Sequence, residues 1–359
     1  MSFEYHRLHR RLNLEPQIIE KVYSILSEID VVKNSWKITG RLLPSMIERL
    51  TDSVIITSTG ASNRIEGNKL TDKEVEQLYR KLNVKKLKNR DEEEVAGYIE
   101  SLKLIFTNYD SFRITESYIL QLHDSVLAYS NKDLHHKGKY KIGSNRVEAR
   151  DTNGDVVGVI FDPTPPYLVQ KEMQELIYWL AWSMENTLKH PLILIANFIF
   201  EYLAIHPFQD GNGRTSRLLT NLFFMQNGYD FTSIVSHEKI VERRKVDYYL
   251  ALNKTQSSWK TDKEDISSWL LFFLEVVKEQ SDNAMQILTE EKIDYLLTKS
   301  QQEVWDYILR NSNEYITRKE LVENTSIPVR TIEYSIKKLL DLKKLERVGV
   351  GRGTRYRKL

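Results

Sequence analysis

The stretch that most limits what this chain can become is His206-Pro-Phe-Gln-Asp210-Gly-Asn-Gly-Arg214-Thr-Ser-Arg217, a polar insert between two apolar runs, Leu192–Ile205 and Leu218–Met225. Both runs read as helices, and the first, too short to span a bilayer and interrupted by Asn197 and Glu201, reads as a buried core helix. A Gly211-Asn212-Gly213 turn between them leaves backbone N–H groups unpaired at the start of the second helix, where the helix dipole adds partial positive charge. Arg214 and Arg217 fall in the first turns of that helix, and guanidinium forks suit phosphate oxygens. His206 stands at the lip as a titratable imidazole, and Asp210 is the hard oxygen ligand that a magnesium ion between phosphates requires.

Composition bounds the rest. At 359 residues, 41% hydrophobic and 28% charged, the chain has the material for two or three globular domains. A net charge of +2 gives no global case for nucleic acid or membrane partners, so any such case is local. Without cysteine there is no disulfide, thiol nucleophile or Cys–zinc site, which suits a reducing compartment. The polar N-terminal residues contain no apolar signal core, and the expected location is cytoplasmic, with no membrane partner. There is no G-x-x-x-x-G-K-[ST] loop, no H-E-x-x-H, no G-x-S-x-G and no internal repeat.

Residues 1–50 are largely helical in pattern and show no chemistry. Ser62-Asn-Arg-Ile-Glu66-Gly67 reads as a short helix that ends at Gly67. Two more helices, Asp72–Leu82 and Glu92–Phe106, are separated by a basic run, Lys85 to Arg90, read as a solvated connection. Another helix covers Thr115–Leu127. From Asn145 to Phe161, two β-prone arms flank Asn153-Gly154, a hairpin pattern, and Pro163, Pro165 and Pro166 bar its continuation as sheet or immediate helix. Helices are then expected over Tyr167–Glu185, over Glu238 to about Lys254 and over Ile266–Val277.

A loose linker at 288–297 introduces a C-terminal module. Helices at Gln302–Leu309, after Thr317 (a capping box with Glu320) and over Pro328–Leu340 precede a Gly-rich hairpin at Leu345–Arg357. This order resembles a winged helix-turn-helix. From Pro328 to Leu359 there are ten Lys/Arg against three Asp/Glu, a net of +7, a basic face of the kind that meets phosphate backbones. A protein-contact module is the alternative use.

The 206–217 stretch resembles the His-Pro-Phe-x-(Asp/Glu)-Gly-Asn-Gly-Arg-x-x-Arg signature of the Fic family. The 62–67 stretch resembles that family's inhibitory motif, Ser/Thr-x-x-x-Glu-(Gly/Asn), placed N-terminal to the core. The resemblance implies a mainly α fold: an N-terminal helical region over 1–110, a Fic helical core with a β-hairpin flap over 111–285, and the winged helix-turn-helix over 290–359. It implies transfer of AMP from ATP to a protein Ser, Thr or Tyr hydroxyl, with His206 as general base. The backbone of Gly211, Asn212 and Gly213 would hold the α-phosphate, Asp210 would hold Mg2+, Arg214 the β-phosphate and Arg217 the γ-phosphate. Thr215 and Ser216 would line the nucleotide site, with Tyr249, or almost equally Tyr248, beside the base. Ser62 and Glu66 would form the inhibitory contact, Glu66 pairing with Arg217 in the γ-phosphate space. Phe208 would anchor the loop as a buried apolar residue. The flap at 145–161 would hold a target segment by strand addition. Self-association and self-modification are compatible with this layout. Transfer of another phosphate-linked group, removal of AMP at the same site, and a DNA-binding regulator that senses nucleotide are the alternatives.

Overall fold

The computed structural model describes residues 3–358 apart from positions 4, 40–43, 83–86, 131, 146, 151–155, 297, 312, 342–343 and 350. The chain divides into two compact units, Met1–Ala284 and Met285–Leu359, and is mainly α-helical. The first unit opens with α1 (Arg7–Arg10), α2 (Pro16–Thr39), α3 (Pro44–Ile65), α4 (Asp72–Lys81), α5 (Arg90–Asn108) and α6 (Glu116–Val126). An antiparallel ribbon of β1 (Val147–Arg150) and β2 (Val156–Phe161) separates these from α7 (Pro166–Asn186), α8 (Pro191–Ile205) and α9 (Asn212–Gln226). Then come α10 (His237–Arg243), α11 (Lys245–Gln256) and α12 (Ser267–Leu296), whose residues from Met285 on are counted with the second unit.

The core is built around α8. Every residue from Leu192 to Ile205 is buried, as the apolar run predicts, with α7 and α9 packed against it. Asn197 and Glu201 are buried with the rest and therefore need partners. Those partners come from α1 and the residue after it: Arg11 donates from Nε to Asn197 Oδ1 and from Nη1 to Glu201 Oε2, both at 2.6 Å. Arg7 bridges Glu201 as well, and the Trp259 indole donates to it at 3.1 Å. Burial alone would raise the Glu201 carboxyl, but Arg11 and Arg7 outweigh it and hold the group down at about 2. The N-terminal region, which shows no chemistry as sequence, supplies the cations that allow α8 to be buried.

Several local expectations are corrected. The short helix around Ser62 is the end of α3, a 22-residue helix, because Val54, Ile55 and Ala61 carry the buried face upstream. Gly67 follows it at φ +96°. Pro166 starts α7 instead of barring it, since a first helical position needs no N–H donor. The single helix expected over 238–254 is two, broken at Arg244 (φ −99°, ψ 29°). The linker at 288–297 is helical through Leu296, a stretch with neither Gly nor Pro to stop it. Arg90 of the supposed solvated run is the first residue of α5 and is ion-paired. The Asn153-Gly154 turn lies outside the described residues, but its arms pair, Val147 opposite Phe161 and Arg150 opposite Val156.

In the second unit, α13 (Lys299–Arg310), β3 (Tyr315–Ile316), α14 (Arg318–Asn324), α15 (Val329–Asp341), β4 (Leu345–Val348) and β5 (Arg355–Lys358) surround a core that includes Val304, Trp305, Ile308, Ile332 and Leu339. Thr317 and Glu320 form the expected capping box at the start of α14. The sheet order is β3-β5-β4, all antiparallel. β3 escapes sequence reading because two residues carry no period.

Candidate active site

The site is made where α8 gives way to α9. His206 caps α8 with a left-handed backbone (φ 52°, ψ 61°), an uncommon state for a residue with a side chain. The turn is held from one side through four successive carbonyls. Lys141 donates from Nζ to Ile205 O at 3.3 Å and from its backbone N to Pro207 O at 2.9 Å. Asn145 donates from Nδ2 to His206 O at 3.3 Å and to Phe208 O at 2.6 Å. From the other side, the Asn212 side chain accepts from Phe208 N at 2.9 Å and donates to Phe208 O at 2.8 Å. Phe208 is fully buried, as expected, and stacks on His123 with ring centroids 3.7 Å apart.

His123 is a second histidine of the site. Gly138 N donates to its Nδ1 at 2.9 Å, which fixes the tautomer and leaves Nε2–H to donate to Asp210 O, also at 2.9 Å. Burial pushes its pKa down to about 4, so it serves as a neutral strut. Gly211, at φ +79°, then turns the chain into α9, where Asn212 and Gly213 occupy the first helical positions. Their N–H groups have no intrahelical acceptor.

The half-buried His206 ring places Nδ1 3.3 Å from Leu203 O, and with Nδ1–H donating there Nε2 keeps a free lone pair. Burial, and the nearby Lys141 ammonium, push its pKa down to about 4, so the ring is neutral at pH 7. Lys141 is itself pushed down to about 8 by burial.

Asp210 accepts at Oδ1 from Gly211 N (2.6 Å) and Arg214 Nη2 (3.2 Å), and at Oδ2 from Arg90 Nη2 (2.7 Å). Burial would raise its carboxyl, but Arg214, the Gly211 N–H and Arg90 bring it below the usual range. Arg214 is buried, with Nη1 3.3 Å from Glu94 Oε1. Its Nε makes no hydrogen bond among the described residues, nor does Nη1 of Arg217. Arg217 otherwise faces α3, donating from Nε to Ser62 Oγ (2.8 Å) and from Nη2 to Ser62 O (2.9 Å) and Glu66 Oε1 (2.8 Å). The Glu66 carboxylate lies directly on the start of α9: a Cβ at Gly213 would come within 2.0 Å of Oε1.

The remaining expected residues divide. Thr215 and Ser216 are buried with their hydroxyls turned back to the Gly211 and Gly213 carbonyls, at 2.9 and 2.8 Å. Tyr248 is buried against Trp269 and Phe272, while Tyr249 is 42% exposed, which leaves Tyr249 the accessible ring of the pair. Sequence reading missed Lys141, Asn145, His123, Arg90 and Glu94. The one local signal was His123 itself, a polar residue beside Leu122 on an apolar helix face.

Among the described residues no three His, Asp or Glu side chains gather as a protein-only metal cage. Asp210 alone fits magnesium, which is often held by one carboxylate while substrate phosphates and water complete its shell. Among the described residues, no helix is long and apolar enough to cross a membrane.

The left-handed histidine cap, the locked loop and the helix start lined by buried arginines all lie within residues 113–224, the span that matches the Fic/DOC family. The chain is similar to protein adenylyltransferase Fic of Nematostella vectensis, 28% identical over 251 residues, covering 69% of this chain and 54% of the relative. It is also similar to protein adenylyltransferase fic-1 of Caenorhabditis elegans, 32% identical over 146 residues, covering 39% of this chain and 25% of the relative. The chain thus spans about half the length of the first relative and a quarter of the second. In fold it matches a crystal structure of a Fic family protein from Desulfovibrio desulfuricans G20 (TM-score 0.59, 21% identity, 97% of each chain). It also matches Fic-1 from C. elegans (TM-score 0.60, 18% identity, 77% of this chain and 75% of that one).

Proposed function

We propose that this chain is a protein adenylyltransferase that moves AMP from ATP onto a Ser, Thr or Tyr hydroxyl of a protein and is held inactive by Glu66. The observation that carries this reading is the meeting of a neutral His206, its Nδ1 turned to Leu203 O, with a helix start where Arg214 Nε and Arg217 Nη1 are buried without a hydrogen-bond partner among the described residues. His206 takes the proton from the incoming hydroxyl as its oxygen attacks the α-phosphorus and pyrophosphate leaves. The N–H groups of Asn212 and Gly213, with that of Gly211 once Asp210 releases it, stabilise the charge that develops on the α-phosphate oxygens. Arg214 and Arg217 hold the β- and γ-phosphates, and Tyr249 edges the base. Asp210 holds Mg2+, which when bound neutralises phosphate charge. The β1–β2 ribbon receives the target segment as an added strand.

Glu66 supports the inhibitory part: its carboxylate already takes the Arg217 guanidinium and covers Gly213, so the γ-phosphate and Glu66 exclude each other. The relatives' names, protein adenylyltransferase, support the chemistry. In domain terms we read 1–110 as the inhibitory region, 111–285 as the catalytic core and 290–359 as a winged helix. The exposed Arg330, Lys337, Arg347, Arg355 and Lys358 of that last domain suit a DNA backbone. A cytoplasmic setting agrees with the absence of cysteine.

The test is ATP labelled at the α-phosphate, with magnesium, offered to wild type, Glu66→Gly and Glu66→Gly/His206→Ala. Label on protein should be weak in the first, strong in the second and gone in the third. Silence in all three, with ATP binding verified by calorimetry, would overturn self-modification as the readout. Label persisting in the double variant would remove His206 from its role.

A further inference from the structure

Arg90 reaches Asp210 from 120 positions away in the sequence and closes a ring of charges. Arg90 Nη2 lies 2.7 Å from Asp210 Oδ2, Asp210 Oδ1 lies 3.2 Å from Arg214 Nη2, Arg214 Nη1 lies 3.3 Å from Glu94 Oε1, and Glu94 Oε1 lies 2.8 Å from Arg90 Nε. The ring has an inner and an outer half. Glu94 and Arg214 are 10% and 2% exposed at the side chain, whereas Asp210 and Arg90 are 40% and 42% exposed. Arg90 and Glu94 both precede the 113–224 span that matches the family.

Helix energetics do not explain Arg90. It is the first residue of α5, where the dipole disfavours a cation and where Asp91, Glu92 and Glu93 are the expected occupants. Nor does Arg90 depend on Asp210 for its place, since its Nε is held by Glu94 and Glu94 is tied by Asn68 Nδ2 at 3.3 Å. Its Nη2 nevertheless sits on the one Asp210 oxygen that Gly211 and Arg214 leave unused. A hard divalent cation would bind that oxygen.

We propose that Arg90 is a placeholder for the metal: its guanidinium and the divalent cation compete for Asp210 Oδ2, so Arg90 sets the metal affinity of the nucleotide site. This rests on the reading of Asp210 as the metal-side carboxylate. While no cation is bound, the guanidinium neutralises Asp210 and keeps the loop in register. When a cation arrives, Arg90 lets go of Asp210 and remains with Glu94.

The experiment titrates Mn2+ by electron paramagnetic resonance into the full chain carrying Glu66→Gly, with a non-hydrolysable ATP analogue. The parent is compared with added Arg90→Gln, Arg90→Lys and Asp210→Asn. Arg90→Gln removes the competitor and should tighten Mn2+ by about two- to fivefold, the factor that corresponds to a partly exposed ion pair. Arg90→Lys keeps the charge and should stay with the parent. Unchanged or weaker Mn2+ binding in Arg90→Gln, with its thermal unfolding intact, overturns the proposal. If Asp210→Asn leaves Mn2+ binding as it was, the metal assignment falls and the placeholder with it. Because the readout is metal occupancy, tightening in Arg90→Gln without any AMP transfer would uphold the inference and count against the proposed activity instead.

Discussion

In the proposed reading Glu66 and ATP compete for Arg217, and the size of that competition follows from the contact. One charged hydrogen bond of 2.8 Å joins Glu66 Oε1 to Arg217 Nη2, with Arg217 5% and Glu66 35% exposed at the side chain. A charged bond between two buried groups contributes about 1.5–3 kcal/mol, and a fully exposed pair contributes up to about 1 kcal/mol. With one partner a third exposed, about 1–1.5 kcal/mol is the appropriate figure, equivalent to a roughly 5- to 12-fold change in an equilibrium constant. ATP binding by wild type must spend that energy to displace the carboxylate, and Glu66→Gly need not. Calorimetric ATP affinity should therefore rise about 5- to 12-fold in Glu66→Gly. Glu66→Gln, which keeps the bulk over Gly213 but loses the charge, should fall between them. AMP, with no γ-phosphate to meet Arg217, should gain less than ATP from the same substitution. Equal ATP affinity within twofold, or an equal gain for AMP, would refute the competition.

Arg11→Met should destabilise the fold by about 3 kcal/mol at pH 7, the low end for breaking a buried pair because Arg7 and Trp259 still reach Glu201. Glu201 is depressed in the folded state, so its contribution is full above the unfolded value near 4.5 and fades as pH falls toward 2. Urea titrations should thus show the wild-type advantage shrinking by about half or more at pH 3, and an undiminished gap would count against Glu201 as its source. In the proposed reaction His206 is a base only while unprotonated, so single-turnover AMP transfer by Glu66→Gly should hold level from pH 7 to about 5 and decline as pH falls through about 4. A break near 6.5, the value of an ordinary imidazole, would show that the ring is not desolvated as described. His123→Phe keeps the stack on Phe208 but strands the Asp210 carbonyl and the Gly138 N–H, and should cost about 1–3 kcal/mol in denaturant titrations.

What the sequence discloses of this molecule is local. The capping box at Thr317, the buried run of α8 and the spacing from His206 to Arg217 each write their geometry within a dozen residues or so, and each appears as expected in the structure. The second layer of the site is non-local. Lys141 and Asn145 hold the carbonyls of 205–208 from about sixty positions away, His123 reaches Asp210 from 87, and Arg90 from 120. No period or motif announces such pairs, because a lysine that will clamp a loop looks like any other lysine. The hint that was available ran the other way. Glu201 and Asn197 in an otherwise apolar helix imply buried partners, and an arginine-rich N-terminus was the place to seek them.

The division between what locks this site and what can open it also follows from burial. Arg214 and Arg217 are cations in a low-dielectric interior, and each needs an anion whether or not nucleotide is present. Arg214 has Glu94, which projects from within α5 and is 10% exposed, so removing it would mean moving a helix packed against α3, α6 and α9. Arg217 has Glu66, which stands one residue beyond the end of α3, just before the left-handed Gly67, and is 35% exposed. Swinging Glu66 away disturbs a turn and one hydrogen bond, and a phosphate then supplies the negative charge that leaves with it. Glu94 cannot leave without disturbing a packed helix, whereas Glu66 can; Asp210, the other partner of Arg214, is itself held in the loop by the Gly211 N–H. In the proposed reading, control of the site therefore falls on Arg217, while Arg214 and its partners remain part of the frame.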